Sequence, residues 1–503
     1  MFQLGTLSFS LPADGNIDPV GLLLFHILIN VYPHVKSGIP SSMTVEQYPM
    51  KKFRHFYGEI RKQFRRFCRK IIIETSGSFS NLNPEKQTCI VVAHDLSQTG
   101  CPIMTWNMIK ILHERYNVIS IALKYGPLES DFKSVSDVCI ILSKISIRHE
   151  KWGLFRLNRI LKNVHIDFSI VNSIKSQKIL PLFVNLHIPS LLFIHEFAYY
   201  LSKDELRSGF LLASEVIYSA QVVLDASLHK LGISHTFPII AQGKSESPSK
   251  SQTVSPDELQ RIEWLTQQKT EHGETIILAA GLIQYRKGVD LFIRAAGRIK
   301  KALPAQKIRF VWAGELSPLK KENLSGLLEF QIEQFGLKDC FNFIGHISDI
   351  DKIYALSDML LLTSILDPLP GTVIEAMSHK LPVICFEGCS GFPEIFRNAG
   401  LNDLCVAEYL DVEDMAQKAA ALLTNPVLYE NISSQMFTIA QHNFDMRRYV
   451  DDVLNMVPQV KKRLEQEEQT IARQIEEHGT KNISFLEHMK ALRTARLGLD
   501  WEV

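Results

Sequence analysis

Two acidic residues eight positions apart, Asp367 and Glu375, lie in the stretch SILDPLPGTVIEAMSHKLPVICFEGCSGFPE, which runs from Ser364 to Glu394. Asp367 falls in a turn with Pro368, Leu369, Pro370 and Gly371, and Glu375 in the helix-like run TVIEAM after it. Carboxylates placed this way can converge on the hydroxyls of one polyhydroxylated ligand. The loop feeds a helix N-terminus, where backbone N–H groups without intrahelical partners suit an anionic phosphate. About eighty residues upstream, GLIQYRKGVD sets Arg286 and Lys287 just after a loop that begins at Gly281. Arginine can hold a diphosphate through two parallel N–H bonds and lysine through a point charge. Most Arg–Lys pairs are solvated surface; this one gains weight because it precedes the two carboxylates within one strand–helix series.

The elements that must hold these groups follow from the apolar pattern. From Thr88 onward buried-strand runs alternate with helical ones: CIVVAH, NVISIAL, VCIIL, FSIVNS, PSLLFIHE and SEVIYSA, with TFPIIAQG as a last strand. A second series begins at TIILAAG and continues through IRFVWAG, CFNFIG, MLLLTS and LPVICF. Continuous apolar strands separated by helices predict open, parallel, doubly wound sheets. Such sheets bind ligands outside the carboxyl ends of their strands, which singles out His94, Asp95 and Gly100, then His195 and Glu196. His94 and Asp95 read as structural. GKSESPSKSQTVSP, without apolar periodicity, reads as the start of an interdomain linker. The expected organisation is an N-terminal helical extension over 1–85, a Rossmann-like domain over 86–245 and a linker over 246–272. A second Rossmann-like domain over 273–445 and C-terminal helices over 446–503, partly crossing back, complete it; within them the later part of the charge-rich run from Tyr449 to Gly479 reads as solvated or partner-binding.

Composition bounds the rest. At 503 residues, with 46% apolar and 22% charged residues, the chain is a folded protein of at least two domains. Its net charge of +1 gives no global field for nucleic acid. The eight cysteines show no paired metal-ligand spacing, and several sit inside apolar runs, which favours buried thiols in a reducing, cytoplasmic compartment. The run VGLLLFHILINVY is too short to span a bilayer and no basic region precedes it as in a cleavable signal peptide. Residues 51–70 pair aromatics at helical spacing with nine cations. They fit either a helix packed on the main body or a peripheral contact with an anionic membrane.

Five segments in this order and spacing, GLIQYRKGVDLF, VWAG, CFNFIG, ALSDMLLLTSILDPLPGTVIEAM and FEGCSGFPE, resemble the retaining nucleotide-sugar glycosyltransferases of family 4. The form DPLP-x3-IEAM is similar to a subgroup in which Asp-Pro replaces the commoner Glu-Pro of the E-x7-E segment. The likeness is strong over about 275–445, weaker over 86–245 through AHDLSQTGCP and FIHE, and absent outside them. It implies a GT-B architecture, two Rossmann-like domains facing across a cleft, with the sugar nucleotide held by the second domain and the acceptor by the first.

Carried onto this chain, the resemblance implies that Arg286 and Lys287 neutralise the donor diphosphate and that Glu375 binds the ribose hydroxyls. Asp367 contacts the transferred sugar, and Leu369, Pro370, Gly371 and Thr372 offer backbone groups to sugar or phosphate. Gly100 and Gly281 allow close backbone approach, His195 lies near the reacting sugar, and Glu394 supports the glycine turn or contacts the nucleotide. It further implies glycosyl transfer with retention to a hydroxyl of a glycan or lipid-linked saccharide, with no cofactor and no metal; because the sequence places no second carboxylate as an obvious covalent nucleophile, front-face displacement is expected. A dinucleotide-dependent enzyme is disfavoured, because no strand is followed by G-x-G-x-x-G. Two departures stand out: Leu282 where the family commonly has Arg, and Pro370 in the place of a usual glycine. They leave open an alternative, a catalytically weak homologue that binds a glycan or a partner protein.

Overall fold

The computed structural model describes residues 73–142, 147–248, 254–315, 321–478 and 483–498, all within one compact unit, Ile71–Val503. The amphipathic pattern over 51–70 and the apolar run before it lie outside the described residues.

The first sheet contains β1 (Ile73–Gly77), β2 (Thr88–Ala93), β3 (Asn117–Ala122), β4 (Val138–Leu142), β5 (Phe168–Asn172), β6 (Ser190–Ile194) and β7 (Glu215–Tyr218). Their order is β1-β4-β3-β2-β5-β6-β7, parallel throughout except for β1, which runs antiparallel to β4 at the edge. Every residue of β2 to β6 is buried, as strands covered by helices on both faces require. The second sheet contains β8 (Thr275–Ala280), β9 (Ile308–Ala313), β10 (Phe341–Gly345), β11 (Met359–Leu362), β12 (Val383–Phe386) and β13 (Val406–Ala407), ordered β10-β9-β8-β11-β12-β13 and all parallel. Both orders reverse direction once, between β2 and β5 and between β8 and β11. These are the switch points where doubly wound sheets open a crevice.

Seven helices bear on the site and on the packing around it: α1 (Gly100–Leu112), α2 (Gln221–Leu231), α3 (Val289–Ala302), α4 (Gly371–Ser378), α5 (Phe392–Asn398), α6 (Met446–His478) and α7 (Phe485–Arg496). The side-chain alternation of the first sheet builds two separate clusters, one on each face. Val91, Val118, Ile141 and Phe193 pack with α1 on one side, and Ile90, Ile119, Ile140 and Leu192 with α2 on the other.

The structure departs from the sequence expectations in four places. Ile73–Gly77, expected in the N-terminal extension, is an edge strand, its alternating burial typical of a strand with one face solvated. TFPIIAQG makes only a single bridge, Ile239 to Tyr218, since Pro238 has no N–H to extend a ladder. The helix Pro256–Thr270, expected in the linker, drops Ile262 and Leu265 into the second domain's core. The later C-terminal segment, expected to be solvated or partner-binding, is packed. Helix α6 starts on one face of the first sheet with Tyr449, Val450 and Val453, and ends on the other with Leu464 and Ile471. Arg493 of α7 is 0% exposed, bonded to Glu467 at 2.7 Å and to the carbonyl of Ala213 at 2.8 Å. Glu467, in the run read as solvated, is here one half of an internal pair with its hydrogen bonds satisfied.

Candidate active site

The second switch point brings the clamp and the first carboxylate together. After β8 the chain turns at Gly281 and runs through a tight 3-10 turn, Tyr285–Lys287, into Gly288 and α3. Gly288 has φ +65°, and a Cβ there would sit 1.9 Å from the carbonyl oxygen of Thr363, so the turn can lie against the end of β11 only with glycine. The Ile365 N–H donates to the carbonyl of Arg286 at 2.9 Å, which fastens the two loops. Arg286 and Lys287 therefore point at the residues after β11.

Asp367 receives them. Arg286 Nη1 lies 3.1 Å from Oδ1, Lys287 Nζ bonds Oδ2, and Ser364 Oγ donates to Oδ2 at 3.3 Å. Burial pushes the Asp367 carboxyl up, but Lys287 and Arg286 outweigh it and hold the group below the usual aspartate value. Its backbone is fixed as well: the Asp367 N–H donates to the carbonyl of Cys389, and the Gly391 N–H to that of Pro368 at 2.7 Å. The glycine turn is thus held by backbone bonds, while Glu394 stands exposed in the first turn of α5.

Downstream, Leu369 is buried and Pro370 takes the N-cap position of α4 with φ −65° and no side-chain cap. Gly371 and Thr372 occupy the first turn, where amide groups have no intrahelical acceptor. One turn later, Glu375 accepts a hydrogen bond at 2.8 Å from the hydroxyl of the fully buried Tyr354. Asp367 and Glu375 are thus held by different partners, the first by the cation clamp and the second by Tyr354. Leu282, in the position noted as a departure, is 43% exposed.

The first domain contributes the carboxyl ends of β2, β5 and β6. Gly100 opens α1 with nothing within 4 Å of a Cβ position, which leaves room for a ligand beside the backbone. His195 follows β6, its ring stacked on Phe193 and its Nε2 2.8 Å from Asn172 Oδ1. Burial, with a smaller contribution from His94, lowers its pKa to about 4, so the imidazole is neutral at physiological pH. Burial also lowers the pKa of His94, and Asp95 accepts hydrogen bonds from the Ser97 N–H and hydroxyl.

The domains touch beside the site. Gly391 lies so close to the start of α2 that a Cβ there would come within 2.6 Å of Ala220 Cβ, and Gln242 Nε2 donates to the carbonyl of Leu369 at 3.0 Å. Sequence reasoning missed Asn172, Gln242 and Tyr354. Asn172 could have been found as a polar residue closing an apolar strand at the switch point; no local signal marks the other two.

Comparison with known proteins puts a class on this arrangement. Residues 260–437 match the family described as Glycosyl transferases group 1. An uncharacterized glycosyltransferase of Haemophilus influenzae is 29% identical over 162 residues, 32% of this chain and 43% of that protein. An α-1,4-N-acetyl-D-galactosaminyltransferase of Campylobacter jejuni, named for an undecaprenol-linked acceptor, is 22% identical over 191 residues, 37% of this chain and 49% of that one. The chain spans less than half the length of these curated relatives. Among solved structures, Anabaena HepE in complex with UDP and glucose superposes with a TM-score of 0.61 at 15% identity, covering 74% of this chain and 100% of that one. Sucrose-phosphate synthase of Thermosynechococcus elongatus gives 0.56 at 15% identity, over 75% and 99%. The chain therefore has the GT-B fold, and over residues 260–437 it is similar to the glycosyl transferases group 1 family.

Proposed function

We propose that the protein moves a glycosyl group from a nucleoside diphosphate sugar to a hydroxyl of a glycan or lipid-linked saccharide. The observation that carries this reading is the buried Asp367 carboxylate bridging Arg286 and Lys287 at the mouth of the second switch point. Two cations against one carboxylate leave one positive charge, fixed in place before any ligand arrives. Breaking a sugar–phosphate bond develops negative charge on the leaving diphosphate, and a preorganised cation there stabilises the transition state without reorganisation. The first-turn amides of α4 add their dipoles to the same end. Arg286 and Lys287 thus supply the positive charge the leaving group needs, and no metal is invoked.

In this scheme Glu375, held by Tyr354, takes the ribose hydroxyls, Asp367 the hydroxyls of the transferred sugar, and Leu369 to Thr372 the sugar or phosphate through their backbone. His195 meets the sugar from the first domain, and Gly100 and Gly281 admit the diphosphate. Retention of configuration, membership of family 4 and the Asp-Pro subgroup rest on the resemblance of the D-x7-E segment. The names of the relatives support a saccharide acceptor: besides the Campylobacter protein, an α-galactosylglucosyldiacylglycerol synthase of Streptococcus pneumoniae is 33% identical over 111 residues, 28% of its length. No helix among the described residues is long and apolar enough to cross a membrane. Action at the cytoplasmic face, with 51–70 as a peripheral contact, is part of the same proposal.

The test is a thermal-shift and turnover screen over UDP-, GDP-, ADP- and dTDP-sugars. Stabilisation by one donor, with release of its nucleoside diphosphate, supports an enzyme. Absence of any donor-dependent shift would favour a protein that binds a glycan or partner without turning over a donor.

A further inference from the structure

We propose that Asn172 is a positioning residue that fixes the tautomer of His195, so that Nδ1 of a neutral imidazole is held as the acceptor for a sugar hydroxyl. This rests on the proposed glycosyl transfer and extends it to a residue outside the D-x7-E and clamp segments.

A chain of hydrogen bonds runs to His195 from a fixed end. Thr105 Oγ1 donates its single proton to the carbonyl of Cys101, one turn earlier in α1, at 2.8 Å. Its oxygen then accepts from Asn172 Nδ2 at 2.8 Å. With Nδ2 committed to Thr105, the amide oxygen Oδ1 faces His195 Nε2 at 2.8 Å, and an oxygen without a proton requires the proton to sit on Nε2. The lone pair is left on Nδ1, which is buried and has no protein partner. The reversed arrangement would turn the threonine hydroxyl onto the amide and bury an N–H at Nδ1 with no acceptor, a costlier defect than a bare lone pair. Further contacts hold the relay: Cys101 Sγ donates to the carbonyl of Asn172 at 2.9 Å, and His195 stacks on Phe193.

A neutral ring presenting a lone pair accepts from a hydroxyl and offers nothing to an anion. It therefore discriminates the sugar from the phosphate of the same donor. Phosphate recognition falls to the clamp in the other domain. Next to Asn172, Ser173 has φ +148°, an unusual value for a residue with a side chain, with its hydroxyl bonded to Glu196. The ionisable groups in this neighbourhood are His94, Asp95, Cys101, Lys124, Lys175, Glu196 and Tyr449.

The experiment is NMR of the full chain labelled with 15N-histidine, with His195 assigned by its loss in His195→Gln. The expected result at pH 7 is a neutral His195 protonated on Nε2; protonation on Nδ1, or an imidazolium, would overturn the proposal. Thr105→Val removes the acceptor for Nδ2 and should mix the tautomers, while Thr105→Ser restores the single form. Asn172→Asp keeps an acceptor but adds a negative charge, so His195 should titrate at higher pH than in the parent. Unchanged tautomer and titration in both Thr105→Val and Asn172→Asp would overturn the positioning role. Addition of UDP-glucose should shift the Nδ1 resonance, and UDP alone should not. An unmoved Nδ1 with the sugar nucleotide bound, as judged by protection from thermal unfolding, would overturn the hydroxyl assignment. If none of the four nucleotide sugars binds, the proposed function fails, and the tautomer result still decides the role of Asn172.

Discussion

Asp367 and Lys287, eighty residues apart in the chain, form a buried ion pair that Arg286 completes on the other carboxylate oxygen at 3.1 Å. A carboxylate expected to face the sugar is thus also what orients the clamp. Asp367→Ala leaves the largely buried Lys287 and the partly exposed Arg286 without their shared counter-charge. It should cost about 3 kcal/mol of stability, at the low end for a broken buried pair because Arg286 is partly exposed. Asp367→Asn should cost less, and both should abolish donor turnover. Chemical denaturation monitored by fluorescence reads the first effect and nucleotide release the second.

The same pair makes a pH prediction. The folded-state pKa of Asp367 lies below its ordinary value of 3.8. Its contribution is therefore fully present above the unfolded value and lost as pH falls through the folded one. Stability measured from pH 6 down to pH 2 should show an acid-dependent loss, shallower in Asp367→Asn. An identical slope in the two proteins would contradict the pairing.

Gly288→Ala tests the fastening of the clamp loop. The new Cβ would sit 1.9 Å from the carbonyl oxygen of Thr363 on a backbone at φ +65°. The loops must separate, so melting temperature should fall and affinity for the donor diphosphate should drop with it. A variant melting like the parent would show that the loops do not pack this way.

Tyr354→Phe deletes the hydroxyl that holds Glu375 and little else, because the ring stays in the core. Loss of one hydrogen bond to a charged group is worth about 2 kcal/mol at most here. The donor KM should rise roughly tenfold with kcat near that of the parent. A fall in kcat alone would move Glu375 from ribose binding to the chemical step.

Arg493→Ala probes the C-terminal helices. It removes a fully buried guanidinium from Glu467 and from two main-chain carbonyls, so a loss of about 3 kcal/mol or more in denaturant unfolding is expected, with donor affinity unchanged in the protein that remains folded. A negligible change would contradict the burial of this pair against the first domain.

The parts of the fold legible in the sequence are those governed by physics that acts locally. Strands such as CIVVAH and TIILAAG read directly because a strand buried on both faces must be apolar throughout. Arg286, Lys287 and Asp367 could be placed within one strand–helix series because each closes or follows such a strand. Their mutual pairing was not legible, since either cation could equally have pointed to solvent. Glu467 misled for a similar reason: a charge-rich helix looks solvated until tertiary packing supplies a partner, here Arg493, 26 residues away. TFPIIAQG has the composition of a strand, but Pro238 and its neighbours find only a bridge. Asn172 left only its place at a strand end as a signal, because an amide there carries its meaning in what it bonds.

The most direct measurement is calorimetric titration of the parent protein and Lys287→Ala with the nucleoside diphosphate sugar that gives the largest thermal shift, followed by assay of nucleotide release. The parent should bind and release the nucleoside diphosphate, and Lys287→Ala should lose at least tenfold in affinity together with turnover, about 1.4 kcal/mol. Equal binding and turnover by the two proteins, or no binding of any nucleotide sugar by the parent, would contradict glycosyl transfer at this site.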